Sequence, residues 1–113
     1  MSKRDELIGK YAGDIRDKLG VDPDMDLLRK VTIGCGPSIY NNDAETVAAS
    51  DEAELDRIRK NYLMKKLGLP DGPALMEGVH AVIDRYGRSN RSKYRAVVYY
   101  LLCQHFKKQS VYA

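Results

Sequence analysis

The sequence predicts an all-α fold, a compact single-domain bundle of about five helices spanning residues 1–113. Apolar residues recur at three- and four-residue spacing, which is typical of amphipathic helices. The first such stripe consists of Leu7, Ile8, Tyr11, Ile15 and Leu19. No stretch shows the two-residue alternation of a strand. At 113 residues, with 43% hydrophobic and 31% charged residues, the chain has the size and composition of one ordered domain.

Helix caps and stops divide these stripes into five predicted helices. In order, they run from about Lys3 to Leu19, Pro23 to Ile33, Asp51 to Leu67, Pro73 to Tyr86, and from Ser89 or Asn90 to Lys107. Each begins next to a good N-cap residue (Ser2, Asp22, Ser50, and Ser89 or Asn90) or with a proline at its first position. Each of the first four ends at a glycine, which readily adopts the left-handed conformation of a helix stop. Residues 34–49 form the longest non-helical segment, with a turn or short helix beginning near Asp43.

Charge is divided unevenly between the two halves of the chain. Residues 1–56 carry 7 Lys/Arg against 13 Asp/Glu, a balance of −6, whereas residues 57–113 carry 12 against 3, a balance of +9. Residues 31–56 contain no Lys or Arg, and residues 85–113 contain no Asp or Glu. One half is therefore an electrostatic partner for the other half or for an external molecule.

The strongest candidate for function is the basic segment, residues 85–95, which places five cations and two tyrosines at the predicted start of the last helix. The candidate anion-binding or interaction residues are Arg85, Arg88, Arg91, Lys93, Arg95 and Tyr100. Cations at a helix N-terminus oppose the helix dipole, so an anion must compensate them. That anion is either external, such as a phosphate, or the acidic segment of the same chain, residues 43–56. Internal pairing is the favoured interpretation, because surface charges usually pair or are solvated.

The periodicity of the last helix predicts contrasting positions for two further side chains, His105 and Tyr100. At about 100° per residue, His105 shares the inner face with Val98 and Leu101, so it is expected to be buried with a hydrogen-bond partner. Tyr100 falls on an outer row with lysines, where an exposed ring would be one element of a nucleic-acid platform. A half-exposed tyrosine that covers a helix seam is the commoner role for such a residue.

No catalytic residue, metal site or cofactor is predicted. Cys35, Cys103, His80 and His105 lack the closely spaced ligand pairs of a zinc site. The glycine-rich residues 34–38 are not followed by the Gly-Lys-Ser/Thr of a phosphate loop. Cys35 also has no histidine or acid at a spacing that would make it a nucleophile.

The sequence predicts a cytoplasmic protein without a membrane segment. No apolar run approaches the roughly 20 residues of a membrane-spanning helix. The N-terminal residues lack the apolar core of a secretory signal. In a cytoplasmic setting Cys35 and Cys103 are expected to be free thiols.

Three stretches of the sequence are distinctive. They are Gly36-Pro37-Ser38-Ile39-Tyr40-Asn41, Lys66-Leu67-Gly68-Leu69, and the run from Tyr86 to Leu102 that includes Arg88-Ser89-Asn90-Arg91 and Tyr99-Tyr100-Leu101-Leu102. With them the chain resembles, over nearly its whole length, a family of short bacterial proteins catalogued only as a domain of unknown function. The resemblance implies an all-helical fold and a bacterial cytoplasmic setting. It implies no activity, cofactor or catalytic residue.

The sequence is compatible with three functions, which it supports to different degrees. The first is a small non-enzymatic interaction module whose partner is a protein or a second copy of the chain. The second is binding of nucleic acid or another polyanion through residues 85–95, against which the modest net charge of +3 counts. An enzyme of unknown reaction comes third. Contact between residues 85–95 and 43–56 would indicate internal pairing, and a bare basic face would indicate an external anion.

Overall fold

The computed structural model describes residues 2–113, and it confirms the predicted compact all-α fold. The helices are α1 (Lys3–Leu19), α2 (Met25–Gly34), α3 (Asn42–Glu45), α4 (Glu52–Ile58), α5 (Pro73–Tyr86) and α6 (Arg95–His105). A π-helix, Arg59–Lys66, continues α4, and short 3-10 helices cover Gly36–Tyr40 and Gln109–Tyr112. Within the described residues there is no strand, only an isolated antiparallel bridge between Thr46 and Tyr94. The radius of gyration of 13.0 Å is that of a compact chain of this length.

The first helix begins and ends where the sequence predicts. The Ser2 hydroxyl accepts a hydrogen bond from the Asp5 N–H at 3.1 Å, which satisfies one free donor of the first turn. Gly20 ends the helix with a φ of 68°, a conformation that favours glycine, and its N–H donates to the Arg16 carbonyl. None of the helices in residues 2–113 combines the length and apolar character needed to cross a membrane.

The N-caps of α2 and α4 differ from the predicted ones. Asp24, not Asp22, caps α2, and its carboxylate accepts from the Leu27 N–H at 3.2 Å. Asp51, not Ser50, caps α4 and accepts from the Ala53 N–H at 3.0 Å. Each predicted helix start contains two cap-type residues within three positions, and tertiary contacts decide between them. The hydroxyl of Tyr100, for example, holds the Asp24 N–H at 2.8 Å.

The third predicted helix changes its winding halfway along. After Ile58 the backbone continues as a π-helix, and the Leu67 N–H donates to the Tyr62 carbonyl, five residues back, at 2.9 Å. The wider turn leaves Tyr62, Leu63 and Leu67 all buried in the core. The sequence predicts a regular α-helix over this segment. The spacing of apolar residues alone does not indicate the wider turn of a π-helix.

Helix α6 lies at the centre of the fold. Seven of its 11 residues are buried: Ala96, Val97, Val98, Tyr100, Leu101, Leu102 and Cys103. It packs against α5 on one side and α2 on another, with α1 and α3 also in contact. A helix that is surrounded in this way buries more than one face, so its apolar stripe does not show which residues face the solvent.

Two expectations for α6 are therefore wrong. Tyr100, expected on an exposed outer row, is only 3% exposed because the start of α2 covers it. His105, expected to be buried, is exposed because α6 ends there and its ring extends past the packed part of the helix. It packs edge-on against Phe106, with 4.9 Å between the ring centroids.

The last helix also begins later than predicted, at Arg95, with Tyr94 as N-cap in an extended conformation. The bridge to Thr46 and the hydrogen bond from the Val47 N–H to the Lys93 carbonyl, at 2.8 Å, hold residues 93–94 extended. An extended backbone cannot be part of the first helical turn. Residues 87–93 are consequently a loop, and of the five predicted cations only Arg95 lies in the first turn of α6.

Candidate anion-binding site

A cleft opens between the 87–93 loop and residues 47–50, the stretch that leads into α4. Its volume is about 240 Å³. The lining consists of Val47, Ala48, Ala49, Ser50, Arg88, Asn90, Arg91 and Lys93. We call this space the basic cleft, because its lining contains three cationic side chains and no carboxylate. It brings together three of the six residues that the sequence singles out.

Lys93 organises the loop that forms one wall of the basic cleft. The residue is only 3% exposed, and its ammonium donates to the carbonyl of Arg88 at 3.0 Å and to the carbonyl of Asn90. Burial lowers the pKa of Lys93, and the neighbouring Arg88 lowers it further. Lys93 therefore holds the loop in shape from inside while adding positive charge behind the cleft.

Two arginines lie closer to the solvent. The Nε of Arg88 forms an ion pair with Asp84 at 2.6 Å, and Nη2 lies 3.4 Å from Nδ1 of His80. Arg91 is exposed, and no carboxylate of residues 2–113 lies within 4.0 Å of its guanidinium. Arg88 is thus partly neutralised by Asp84 of the preceding helix α5, whereas Arg91 keeps its full charge and its hydrogen-bond donors.

Asn90 adds a neutral donor to the same wall. Its side-chain oxygen accepts from the Ser92 N–H at 3.1 Å, which sets the orientation of the amide. Its Nδ2 is buried, and no hydrogen-bond acceptor for it is found in the described part of the chain. An unmade hydrogen bond on a buried donor costs about 1–3 kcal/mol.

Arg95 has a different environment although it belongs to the same basic segment. Its guanidinium pairs with Glu54 at 2.6 Å and donates from Nε to the Ala44 carbonyl at 2.8 Å. Burial alone would raise the pKa of Glu54, but hydrogen bonds from Arg95 and Arg57 outweigh it and leave the pKa below the usual value. This is a contact between residues 85–95 and the acidic segment, and Arg95 is its cation.

The other two candidate residues lie outside the basic cleft. Arg85 is exposed on α5 and lines a separate depression with Gln104 and His105. The buried hydroxyl of Tyr100 accepts from the Asp24 N–H at 2.8 Å and from the Gln104 side chain at 3.0 Å. Tyr100 is accordingly a core residue that ties α6 to the start of α2.

Two parts of the cleft have no signal in the sequence. The sequence predicts Asn90 as a helix cap, Ser50 as the cap of the third helix, and residues 47–49 as the end of the irregular segment. Their role follows from the pairing of Thr46 with Tyr94, which joins residues 48 positions apart. No short-range pattern predicts such a long-range pairing.

Across residues 2–113, no three His, Cys, Asp or Glu side chains are grouped so that they could hold a metal ion. Cys35 and Cys103 are both free thiols, as predicted. Burial raises the pKa of Cys35 to about 12, so the reactive thiolate form is scarce at neutral pH.

The fold and the cleft define a small helical protein with a preformed basic site. The chain belongs to the family described as a protein of unknown function (DUF2853), whose model matches residues 10–110. This match confirms the resemblance to a domain-of-unknown-function family, and the family description assigns no role to any residue. No curated protein matches the chain.

Proposed function

We propose that this protein is a small non-enzymatic interaction module that takes an anionic group of its partner into the basic cleft. One observation carries the proposal. Arg88, Arg91 and Lys93 converge on one cleft whose lining contains no carboxylate, and the buried Asn90 amide beside them has an unused donor. Cations and unused donors around one cavity are the usual features of an anion site.

The size of the basic cleft indicates what it can hold. Clefts that enclose a whole small molecule usually measure about 300–1,000 Å³, and this one measures about 240 Å³. The space fits a charged group such as a phosphoryl or carboxylate group better than an entire cofactor. We therefore expect the rest of the ligand to lie outside the cleft, as it does when the group belongs to a larger molecule.

Nucleic acid fits this surface less well than a discrete anionic group does. A single-strand platform needs exposed aromatic rings beside its cations, and Tyr86 and Tyr100 are both buried. The cleft also opens beside the acidic start of α4, where the exposed N-cap Asp51 and the following Glu52 would repel a phosphodiester backbone.

We assign this module to the bacterial cytoplasm and treat residues 1–113 as one domain. The resemblance to short bacterial proteins supports the setting. The shared hydrophobic core, to which α1, α2, α4, α5 and α6 all contribute, supports the single domain.

An NMR titration of the ¹⁵N-labelled chain with inorganic phosphate tests the site, with sodium chloride holding the ionic strength constant. We expect chemical-shift changes concentrated in residues 47–50 and 88–93. Arg91→Gln should weaken binding about tenfold, which corresponds to the loss of one charge-assisted hydrogen bond.

Arg85→Gln is the matched control for this titration, because it makes the same change in the same basic segment outside the cleft. It should weaken binding less than twofold. Equal weakening by both variants would show that binding follows diffuse charge and would contradict the proposal. So would an absence of shift changes. Tight binding of a DNA oligonucleotide that depends on both arginines would instead support the polyanion alternative.

A further inference from the structure

The inference concerns which kind of anion the basic cleft prefers, and it rests on the proposed function. We propose that the cleft is a phosphomonoester site: it prefers a terminal, doubly charged phosphoryl group to a carboxylate or a phosphodiester. Such a group occurs on free phosphorylated small molecules and on phosphorylated protein side chains.

The number of available donors is the first reason. Arg91 has its whole guanidinium free, the Asn90 Nδ2 has no acceptor in residues 2–113, and Arg88 uses Nε for Asp84 while its other nitrogens make no ion pair with a carboxylate. Accessible donors thus come from two arginines on one wall. A phosphomonoester offers three terminal oxygens, whereas a carboxylate offers two. A phosphomonoester can therefore share its oxygens between both arginines, whereas a carboxylate held by two N–H groups of one arginine has no further oxygen for the other.

The distribution of charge is the second reason. The cations of the cleft lie within residues 88–93, while Asp84 pairs with Arg88 and Asp51 follows the lining residue Ser50 along the chain. A doubly charged group at one point interacts with all three cations and stays away from the flanking acids. A phosphodiester carries one negative charge per group, and its neighbouring groups would extend toward those acids.

Preorganisation is the third reason. The two hydrogen bonds from the buried Lys93 ammonium to loop carbonyls hold the loop in place before any ligand arrives. The Tyr94 N–H, at the end of the loop, also donates to the hydroxyl of the buried Tyr86 at 3.2 Å. A loop that is already ordered loses little conformational entropy on binding, so more of the ion-pair energy appears as affinity.

A pH titration separates this inference from simple anion binding. The second pKa of a phosphomonoester is about 6, so its second charge is largely lost between about pH 7.5 and about pH 5.5. Sulfate keeps both charges over that range and therefore reports any titration of the protein. The charged and titratable groups around the cleft are Arg88, Arg91 and Lys93 on its wall, Asp84 and His80 beside Arg88, and Asp51 and Glu52 next to the lining residue Ser50. Any effect of acid on these groups acts on both anions, so the ratio of the two affinities isolates the charge lost by the phosphomonoester.

The experiment measures dissociation constants of the full chain by NMR for O-phosphoserine, sulfate, dimethyl phosphate and acetate, at constant ionic strength and at both pH values. At the higher pH, O-phosphoserine should bind about tenfold more tightly than dimethyl phosphate or acetate, the value of one further charge-assisted hydrogen bond. On acidification, the affinity for O-phosphoserine should fall relative to that for sulfate. Arg88→Gln should reduce the preference for phosphoserine over acetate, because it removes the second of the two arginines.

The outcomes separate this inference from the proposed function. If all four anions bind the cleft equally and Arg91→Gln weakens them all, the cleft is an anion site and the phosphomonoester inference is overturned. If none binds at the cleft, both proposals are overturned. A phosphoserine peptide that binds more tightly than free O-phosphoserine would support a protein source of the group. Equal binding of the two would support a small-molecule source.

Discussion

Arg95 and Arg91 lie four residues apart in the basic segment, yet they have opposite environments. Arg95 is paired with Glu54 at 2.6 Å, and their side chains are only 17% and 10% exposed. Arg91 is exposed on the wall of the basic cleft and pairs with no carboxylate of residues 2–113. The comparison shows that one charge-rich segment can both hold the fold together and leave cations available for a ligand.

The two sequence-based interpretations of the basic segment thus apply to different residues. Internal pairing with the acidic segment describes Arg95, which reaches Glu54 and the Ala44 carbonyl. An external anion is what we propose for the basic cleft, on the grounds given for the proposed function. The backbone decides between them: α6 begins at Arg95 and points it toward α4, while the loop carries Arg91 to the surface.

The largest expected effect is the loss of the buried ion pair. Arg95→Ala should lower the free energy of unfolding by about 3 kcal/mol, because it leaves the largely buried Glu54 without one of its two cations. Arg57→Ala is the matched control, since Arg57 contacts the same carboxylate at 2.7 Å but its side chain is 58% exposed. It should cost less than about 1 kcal/mol. Urea denaturation measures both, and equal losses would contradict the distinction between buried and exposed pairs.

The second largest effect is expected in the 87–93 loop, which Lys93 holds in shape. Lys93→Met keeps the apolar stem but leaves the carbonyls of Arg88 and Asn90 without their donor. We expect a loss of about 1–3 kcal/mol in the free energy of unfolding, together with weaker anion binding at the cleft. Arg88→Met should weaken binding with little loss of stability, because Arg88 is exposed. If Lys93→Met leaves both stability and binding unchanged, Lys93 has no positioning role.

The stability that the Glu54–Arg95 ion pair contributes should also depend on pH. Hydrogen bonds to Arg95 and Arg57 hold the pKa of Glu54 below the ordinary value of 4.5. Its stabilising contribution is therefore complete above about pH 4.5 and is lost as the pH falls through the lowered pKa. Glu54→Gln should be less stable than the wild type at neutral pH, and the difference should shrink below pH 4.5. Urea midpoints measured from neutral to acidic pH test this, and a constant difference would contradict it.

The smallest effect on stability is expected at the cleft itself. If residues 88 and 91 paired with the acidic segment, the double variant Arg88→Glu/Arg91→Glu would destabilise the fold strongly at low salt. Because Arg88 pairs instead with Asp84 of α5, we expect a loss of only about 0.5–1 kcal/mol, and less at high salt. The same variant should abolish phosphate binding. Thermal denaturation at two salt concentrations, beside a phosphate titration, checks both parts.

Much of the architecture could be predicted from local sequence. Ser2 and Gly20 bound α1 as expected, Pro73 and Tyr86 bound α5, and Asn42–Glu45 is the short helix expected near Asp43. These features depend on residues close together in the chain, whose capping and conformational preferences act locally. The charge imbalance between the two halves of the chain also follows from the sequence alone, because it is a matter of composition.

The sequence by itself therefore determined the helical class, most helix positions and the presence of a cation-rich segment. Only the tertiary structure decided which cations are available, because that depends on where distant parts of the chain meet. The pairing of Thr46 with Tyr94 delays the start of α6 and creates the basic cleft, and the packing of α2 on α6 buries Tyr100. Helix periodicity shows which residues of one helix share a face. It does not show how many neighbouring elements pack against that helix or which side chains those elements contribute.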